Sequence, residues 1–112
     1  MSGISTHVLD TARGRPAAAV GVSLERWELD AWLPCATAET DADGRCKGLL
    51  PAERVLAGRY RLTFATGAYD ARDGGHTLYP EVTITFEVSA DGASYHMPLL
   101  LSPFGYTTYR GS

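Results

Sequence analysis

The sequence predicts an all-β fold: a sandwich of two antiparallel sheets with about seven or eight strands and one short helix. Three observations predict it. Apolar residues recur at every second position, turn residues punctuate the chain at the spacing of a sandwich, and little of the chain is left for helix. Strand side chains point alternately to the two sheet faces, so a period of two marks a half-buried strand.

The runs are explicit. Val20, Val22 and Leu24 share a face, with Gly21, Ser23 and Glu25 on the other. Tyr60, Leu62 and Phe64 alternate with Arg59, Arg61 and Thr63. Val82, Ile84, Phe86 and Val88 alternate with Thr83, Thr85 and Glu87. Tyr95, Met97, Leu99 and Leu101 alternate with His96, Pro98, Leu100 and Ser102. Turn clusters separate them at Arg13-Gly14-Arg15-Pro16, Asp41-Ala42-Asp43-Gly44, Ala57-Gly58, Asp73-Gly74-Gly75 and Asp91-Gly92. Trp27 and Trp32 read as packing residues flanking a hairpin turn, and Tyr69 and Tyr79 as packing residues. The helical candidates are Pro51 to Leu56 and Ala68 to Asp73. Each amounts to one or two turns, too short to stand without packing. Pro103 to Tyr109 reads as a last strand near the end of the chain, where fraying is usual. Its aromatic character argues for a defined place.

Composition narrows the function classes. The 112 residues suit one domain, taken as residues 1–112, and are enough for a core without staples. A hydrophobic fraction of 45% excludes global disorder. The net charge is −3 and the Lys and Arg residues are scattered, so no basic stripe exists to neutralise a nucleic-acid backbone. No apolar run approaches the ~20 residues that cross a bilayer. The start, Met1 to His7, lacks a basic stretch and an apolar signal core, so a cytoplasmic location is expected. Cys35 and Cys46 are expected to be free thiols. No motif for a metal or an organic cofactor is present, and none is expected.

Chemistry concentrates on one face. Ser5, His7 and Leu9 share a face of the first strand. Ser94, His96, Pro98 and Leu100 share a face of the penultimate strand, and Thr107 and Tyr109 a face of the last. That set is too apolar for plain solvent exposure and too polar for a core, as a subunit interface holding a site would be. A lone strand histidine is more often structural, so His7 and His96 matter only if they meet. His76, in a Gly-rich loop, reads as structural. Arg45, after the turn Asp43-Gly44, is either a solvated turn residue or a clamp for an oxyanion or a planar ring. Arg110 has the same two readings. Asp41 and Asp43 read as turn chemistry rather than metal ligands.

Three blocks then carry a resemblance to a family. They are Ser5 to Ala17 (STHVLDTARGRPA), Thr40-Asp41 with Asp43-Gly44-Arg45, and Tyr95 to Ser112 (YHMPLLLSPFGYTTYRGS). Tyr79-Pro80-Glu81-Val82 fits the same pattern. Over essentially its full length the chain resembles the transthyretin-related 5-hydroxyisourate hydrolases. The ending Tyr109-Arg110-Gly111-Ser112 is the most specific signal, since it matches the tetrapeptide that closes the hydrolases and that true transthyretins lack. The resemblance implies a transthyretin-like sandwich in which His7, Arg45, His96 and Ser112 are catalytic. Arg45, Tyr109, Arg110 and Ser112 would bind substrate. It also implies a homotetramer, a dimer of dimers with its sites between the dimers. Leu78 and Phe104 depart from the common pattern outside the catalytic set. The implied reaction opens 5-hydroxyisourate to 2-oxo-4-hydroxy-4-carboxy-5-ureidoimidazoline with no metal or cofactor. The alternatives are a non-catalytic transthyretin-like protein binding a small ligand, a generic carbohydrate- or peptide-binding sandwich, and an accessory domain cut from a larger protein.

Overall fold

In a computed structural model, which describes residues 3–72 and 74–111, the alternating runs become the strands of two packed sheets. In chain order the elements are β1 (Ile4–Asp10), β2 (Arg15–Pro16), β3 (Gly21–Glu28), β4 (Ala31–Glu39), β5 (Arg45–Leu50), a 3-10 turn (Ala52–Arg54), β6 (Gly58–Phe64), α1 (Thr66–Ala71), β7 (Val82–Val88), β8 (Tyr95–Ser102) and β9 (Gly105–Thr108). One sheet runs β2-β1-β8-β9, with β5 also paired to β1. The other runs β4-β3-β6-β7. Setting aside the two-residue β2, eight strands remain, as the sequence predicts.

The core forms where the apolar faces meet. Ile4, Val8, Leu99 and Leu101 come from one sheet, and Val20, Val22, Leu24, Tyr60, Leu62, Phe64, Val82 and Ile84 come from the other sheet and its flank; all are buried. Each such side chain gains roughly 1.5–3 kcal/mol by leaving water, which is why period two and not helical period governs the chain. Trp27 and Trp32 pair directly across the β3–β4 hairpin, their rings edge to face at 5.2 Å. The two-residue loop between these strands, Leu29-Asp30, has positive φ at both positions, the twist that a tight hairpin demands. Both cysteines are free, and burial pushes both thiols above their ordinary pKa.

Three expectations are corrected. The first sheet is not wholly antiparallel, because β1 and β8 run parallel, from Ile4↔Tyr95 to Asp10↔Leu101. Parallel neighbours need a long crossover, and here the whole second sheet supplies it. Pro103-Phe104 is not strand but the two-residue turn between β8 and β9. Proline presets the turn dihedral, and Ser102 Oγ donates to the Gly105 carbonyl at 2.9 Å across it. The helix begins at Thr66, two residues ahead of the expected Ala68, while Pro51–Leu56 supplies only the 3-10 turn. Thr66 anchors that early start with a 2.7 Å bond from its hydroxyl to the Tyr79 carbonyl. Asp73 lies outside the described residues, as do Met1, Ser2 and Ser112.

Candidate active site

The outward face of the first sheet gathers residues from both ends of the chain. In antiparallel pairing directly opposite residues share a face, and His7 on β1 stands opposite Arg45 on β5. On the other side of β1 the parallel register sets Ser5 opposite His96 and His7 opposite Pro98. The His7 and His96 rings end with centroids 6.5 Å apart and planes tilted by 34°. Their alternate neighbours Thr6 and Met97 are buried beneath, joined by a 2.6 Å bond from the Thr6 hydroxyl to the Met97 carbonyl. That bond pins the two strands directly under the histidines.

Each ring is held by a different nitrogen. His7 Nε2 lies 3.0 Å from the Asp43 carbonyl. A carbonyl only accepts, so Nε2 carries the proton and Nδ1 is the free nitrogen of the neutral ring. The loop that brings this carbonyl in is shaped by Asp41, whose carboxylate accepts from the backbone N–H groups of Asp43 and Arg45, both at 2.9 Å. Those two bonds, Arg45's first, hold the Asp41 carboxyl below its ordinary pKa. Gly44 lets the loop approach β1: its φ is +77°, and a Cβ there would stand 2.4 Å from the Val8 carbonyl oxygen. The paired aspartates are therefore turn chemistry, as read from the sequence.

His96 is held at Nδ1, 2.8 Å from Ser5 Oγ, which leaves Nε2 free. Burial, and then the nearby charges of Arg45 and His7, push its pKa below the ordinary histidine value. The end of the chain closes over this ring. Leu99↔Thr108 and the isolated bridge His96↔Gly111 lie in one antiparallel register. Pro98 lacks an N–H, so the ladder breaks beside it, and the Thr108 hydroxyl bonds the Pro98 carbonyl at 2.8 Å instead. Beyond the break Gly111 N–H donates to the His96 carbonyl at 2.7 Å. A Cβ on Gly111 would come 2.7 Å from His96 Cδ2 and 3.4 Å from Pro98 Cγ, so glycine alone fits against the imidazole.

A family model described as HIUase/Transthyretin family matches residues 4–111. The chain belongs to this family. It is 47% identical to a 5-hydroxyisourate hydrolase of Caulobacter vibrioides, over the whole of both chains. Among solved structures, the 5-hydroxyisourate hydrolase of Klebsiella pneumoniae matches with a TM-score of 0.85 and 40% identity over all of both chains. Transthyretin from Sparus aurata matches with a TM-score of 0.94 and 31% identity, covering 99% of this chain and 97% of that one. Both branches of the family thus share this backbone, and side chains must separate them.

Of the residues singled out in the sequence, His7, Arg45 and His96 converge on the one face. Tyr109, 55% exposed, stands in the interrupted stretch between Thr108 and Gly111. Arg110 is not brought to this face. Its guanidinium lies 4.1 Å from the Tyr95 ring centroid and donates to the Ser94 carbonyl at 3.0 Å, so it clasps the tail to the start of β8. Alternation explains this: Tyr95 and His96 are sequence neighbours and point to opposite faces. Ser112 lies outside the described residues. Two further residues touch the histidines without having been assigned a role from sequence, Gly111 and Ser5. For Ser5 the signal was its shared face with His7. Gly111 had none beyond its place in the closing tetrapeptide. Among the described residues no helix is long and apolar enough to cross a membrane.

Proposed function

We propose that this chain hydrolyses 5-hydroxyisourate to 2-oxo-4-hydroxy-4-carboxy-5-ureidoimidazoline. The observation that carries the reading is the convergence of His7, His96 and Arg45 on one open sheet face, with the two imidazoles 6.5 Å apart and each offering one free nitrogen. Water adds to a ring carbonyl carbon, the adjacent C–N bond breaks, and the ring nitrogen takes up a proton. The attack needs a group to receive the water proton, and the developing oxyanion needs a fixed positive charge. The histidine pair meets the first demand. Arg45, facing His7 across β1 and β5, meets the second and grips the planar ring. Tyr109 borders the site, and Ser112 keeps the catalytic role that the resemblance implies for it.

The working form is a homotetramer, a dimer of dimers. Its protomers join edge to edge, and its dimers pack through the histidine face so that sites lie between them. Two features support this: both sheets end in strands with an open edge, β9 and β7, and Phe104, Tyr106 and Tyr109 are exposed around the end of the chain. The rival reading, a hormone-carrier type of binding protein, asks for an apolar channel where this face has two imidazoles and a guanidinium.

The deciding experiment generates 5-hydroxyisourate in the cuvette from urate and urate oxidase, then follows its ultraviolet decay. Decay accelerated in proportion to protein concentration is the expected result. Decay at the spontaneous rate with a tetrameric sample would refute the hydrolase and favour the binding protein.

Two further results are expected in the same assay. The acid limb of kcat/KM should lie below pH ~6.5, the ordinary histidine value, because a lowered pKa keeps His96 neutral and proton-accepting as pH falls. In an Arg45→Gln variant the residual activity should show that limb moved upward, since one of the charges that lower the pKa is gone. Gly111→Ala should cut turnover by about 100-fold, because ring and tail cannot both keep their places and small misplacements at a reacting group are costly. Its urea unfolding midpoint should match the wild type's, since Gly111 lies outside the core.

A further inference from the structure

The two imidazoles of this face are tethered differently, and the difference has chemical content. The partner of His7 is a backbone carbonyl, which can only accept. The partner of His96 is a hydroxyl, which can donate or accept and carries no charge. Ser5 sits directly opposite His96 in the parallel register, with its Oγ 2.8 Å from Nδ1. On another edge of the same ring, Gly111 packs so closely that a single added carbon would stand 2.7 Å from Cδ2. A half-turn of the imidazole would exchange Nδ1 with Cδ2, losing the Ser5 bond and pushing a polar nitrogen against the Gly111 backbone. The ring is therefore confined to one orientation by a hydroxyl on one edge and a glycine on another.

We propose that Ser5 is a positioning residue for the hydrolysis, its Oγ accepting the Nδ1–H of His96 so that the Nε2 lone pair faces the substrate. This inference rests on the hydrolase reading above for its kinetic consequence, though not for its structural content. A neutral imidazole has one N–H, and the nitrogen that bears it cannot serve as base. With the proton held at Nδ1, Nε2 receives the proton of the attacking water, and Nδ1–H stays on Ser5 throughout. A hydroxyl suits the task better than a carboxylate would. Accepting from Nδ1–H, it holds the ring without adding a negative charge that would raise the pKa of a ring kept neutral by burial and by Arg45. The backbone carbonyl on His7 does the reverse, leaving Nδ1 as the free nitrogen of that ring. The two free nitrogens, Nδ1 of His7 and Nε2 of His96, thus belong to opposite tautomers.

The test has a spectroscopic arm and a kinetic arm. In wild-type protein with isotopically labelled imidazole nitrogens, NMR at neutral pH should find His96 protonated at Nδ1 with Nε2 bare. The opposite tautomer in the wild type would overturn the proposal without any variant. Ser5→Ala should shift His96 toward a tautomer mixture. Its kcat should fall by about 10- to 100-fold with KM nearly unchanged, as when other working histidines lose the partner that orients them. Ser5→Thr, which keeps the hydroxyl and suits a strand, should restore both the tautomer and most of kcat. Wild-type kcat in a folded Ser5→Ala variant would also overturn it. If the wild type itself fails to hydrolyse 5-hydroxyisourate, the hydrolase reading falls, and the NMR arm still decides whether Ser5 sets the tautomer.

Discussion

His7→Ala and His96→Ala should each slow the enzymatic opening of 5-hydroxyisourate by about 10²- to 10⁴-fold, the usual worth of a positioned proton acceptor. Both side chains lie on the outward face of the first sheet, only partly buried, and the core beneath them is made by Thr6, Val8, Met97 and Leu99. Truncation therefore leaves the packing intact, and circular dichroism and the oligomeric state should match the wild type. The double variant should be little worse than the poorer single one, because residues that serve the same step act as a unit. An additive loss in the double variant would mean that the two imidazoles work separately, one on the water and one elsewhere. Losses of less than threefold in either single variant would remove that histidine from the reaction.

Asp10→Asn should destabilise the fold by about 3 kcal/mol while leaving the histidine face in place. Asp10 ends β1, is 3% exposed, and points to the side of the sheet opposite His7 and Leu9. Its carboxylate accepts from the Arg13 guanidinium at 2.7 Å, from the Arg13 backbone N–H at 3.0 Å and from the Tyr69 hydroxyl at 2.7 Å. Arg13 also reaches Asp70 at 2.8 Å, so one guanidinium ties the end of β1 to α1. An asparagine preserves shape but loses the charge and one accepting atom, so the bonds from Arg13 and from the buried Tyr69 hydroxyl can no longer all be made to a charged acceptor. The figure sits at the low end for broken buried pairs because the Arg13 side chain remains 25% exposed. Urea unfolding at matched protein concentration measures it.

The same carboxylate gives a pH dependence with a definite sign. Burial pushes the Asp10 pKa up, but the bonds from Arg13 and Tyr69 outweigh it and hold the value below that of an ordinary carboxyl. A lowered folded-state pKa contributes stability that is present above the unfolded value of ~3.9 and is lost as pH falls through the folded value. The wild type should therefore lose its advantage over the Asn variant below about pH 4. A constant difference between pH 7 and pH 3 would show that the network is held by shape and not by charge.

Much of this architecture is a local property of the chain and so was legible in it. Alternation at Val20-Val22-Leu24, Tyr60-Leu62-Phe64 and Tyr95-Met97-Leu99-Leu101 is written in consecutive residues, and burial follows it except at Pro98, which is buried on the alternate face. The turn at Asp41–Gly44 was legible for the same reason, since an aspartate carboxylate caps backbone N–H groups two and four residues on. The shared face of Ser5 and His7 also followed from period two alone. The turn at Pro103-Phe104 was obscured because the aromatic residues around it have strand propensity on both sides of the proline.

What sequence by itself determined is therefore the two-sheet class, the faces of its strands and the residue types available on each. Tertiary structure alone decided which strands are neighbours. It set β1 parallel to β8, which brings Ser5 to His96 across 91 positions and His7 within 6.5 Å of that ring. It turned Arg110 away to Tyr95, and it closed Asp10, Arg13, Tyr69 and Asp70 into one network. The physical reason is range. Periodicity is enforced by bond geometry between adjacent residues, whereas strand order and register are settled by burial and hydrogen bonding between segments that the chain keeps far apart until it folds.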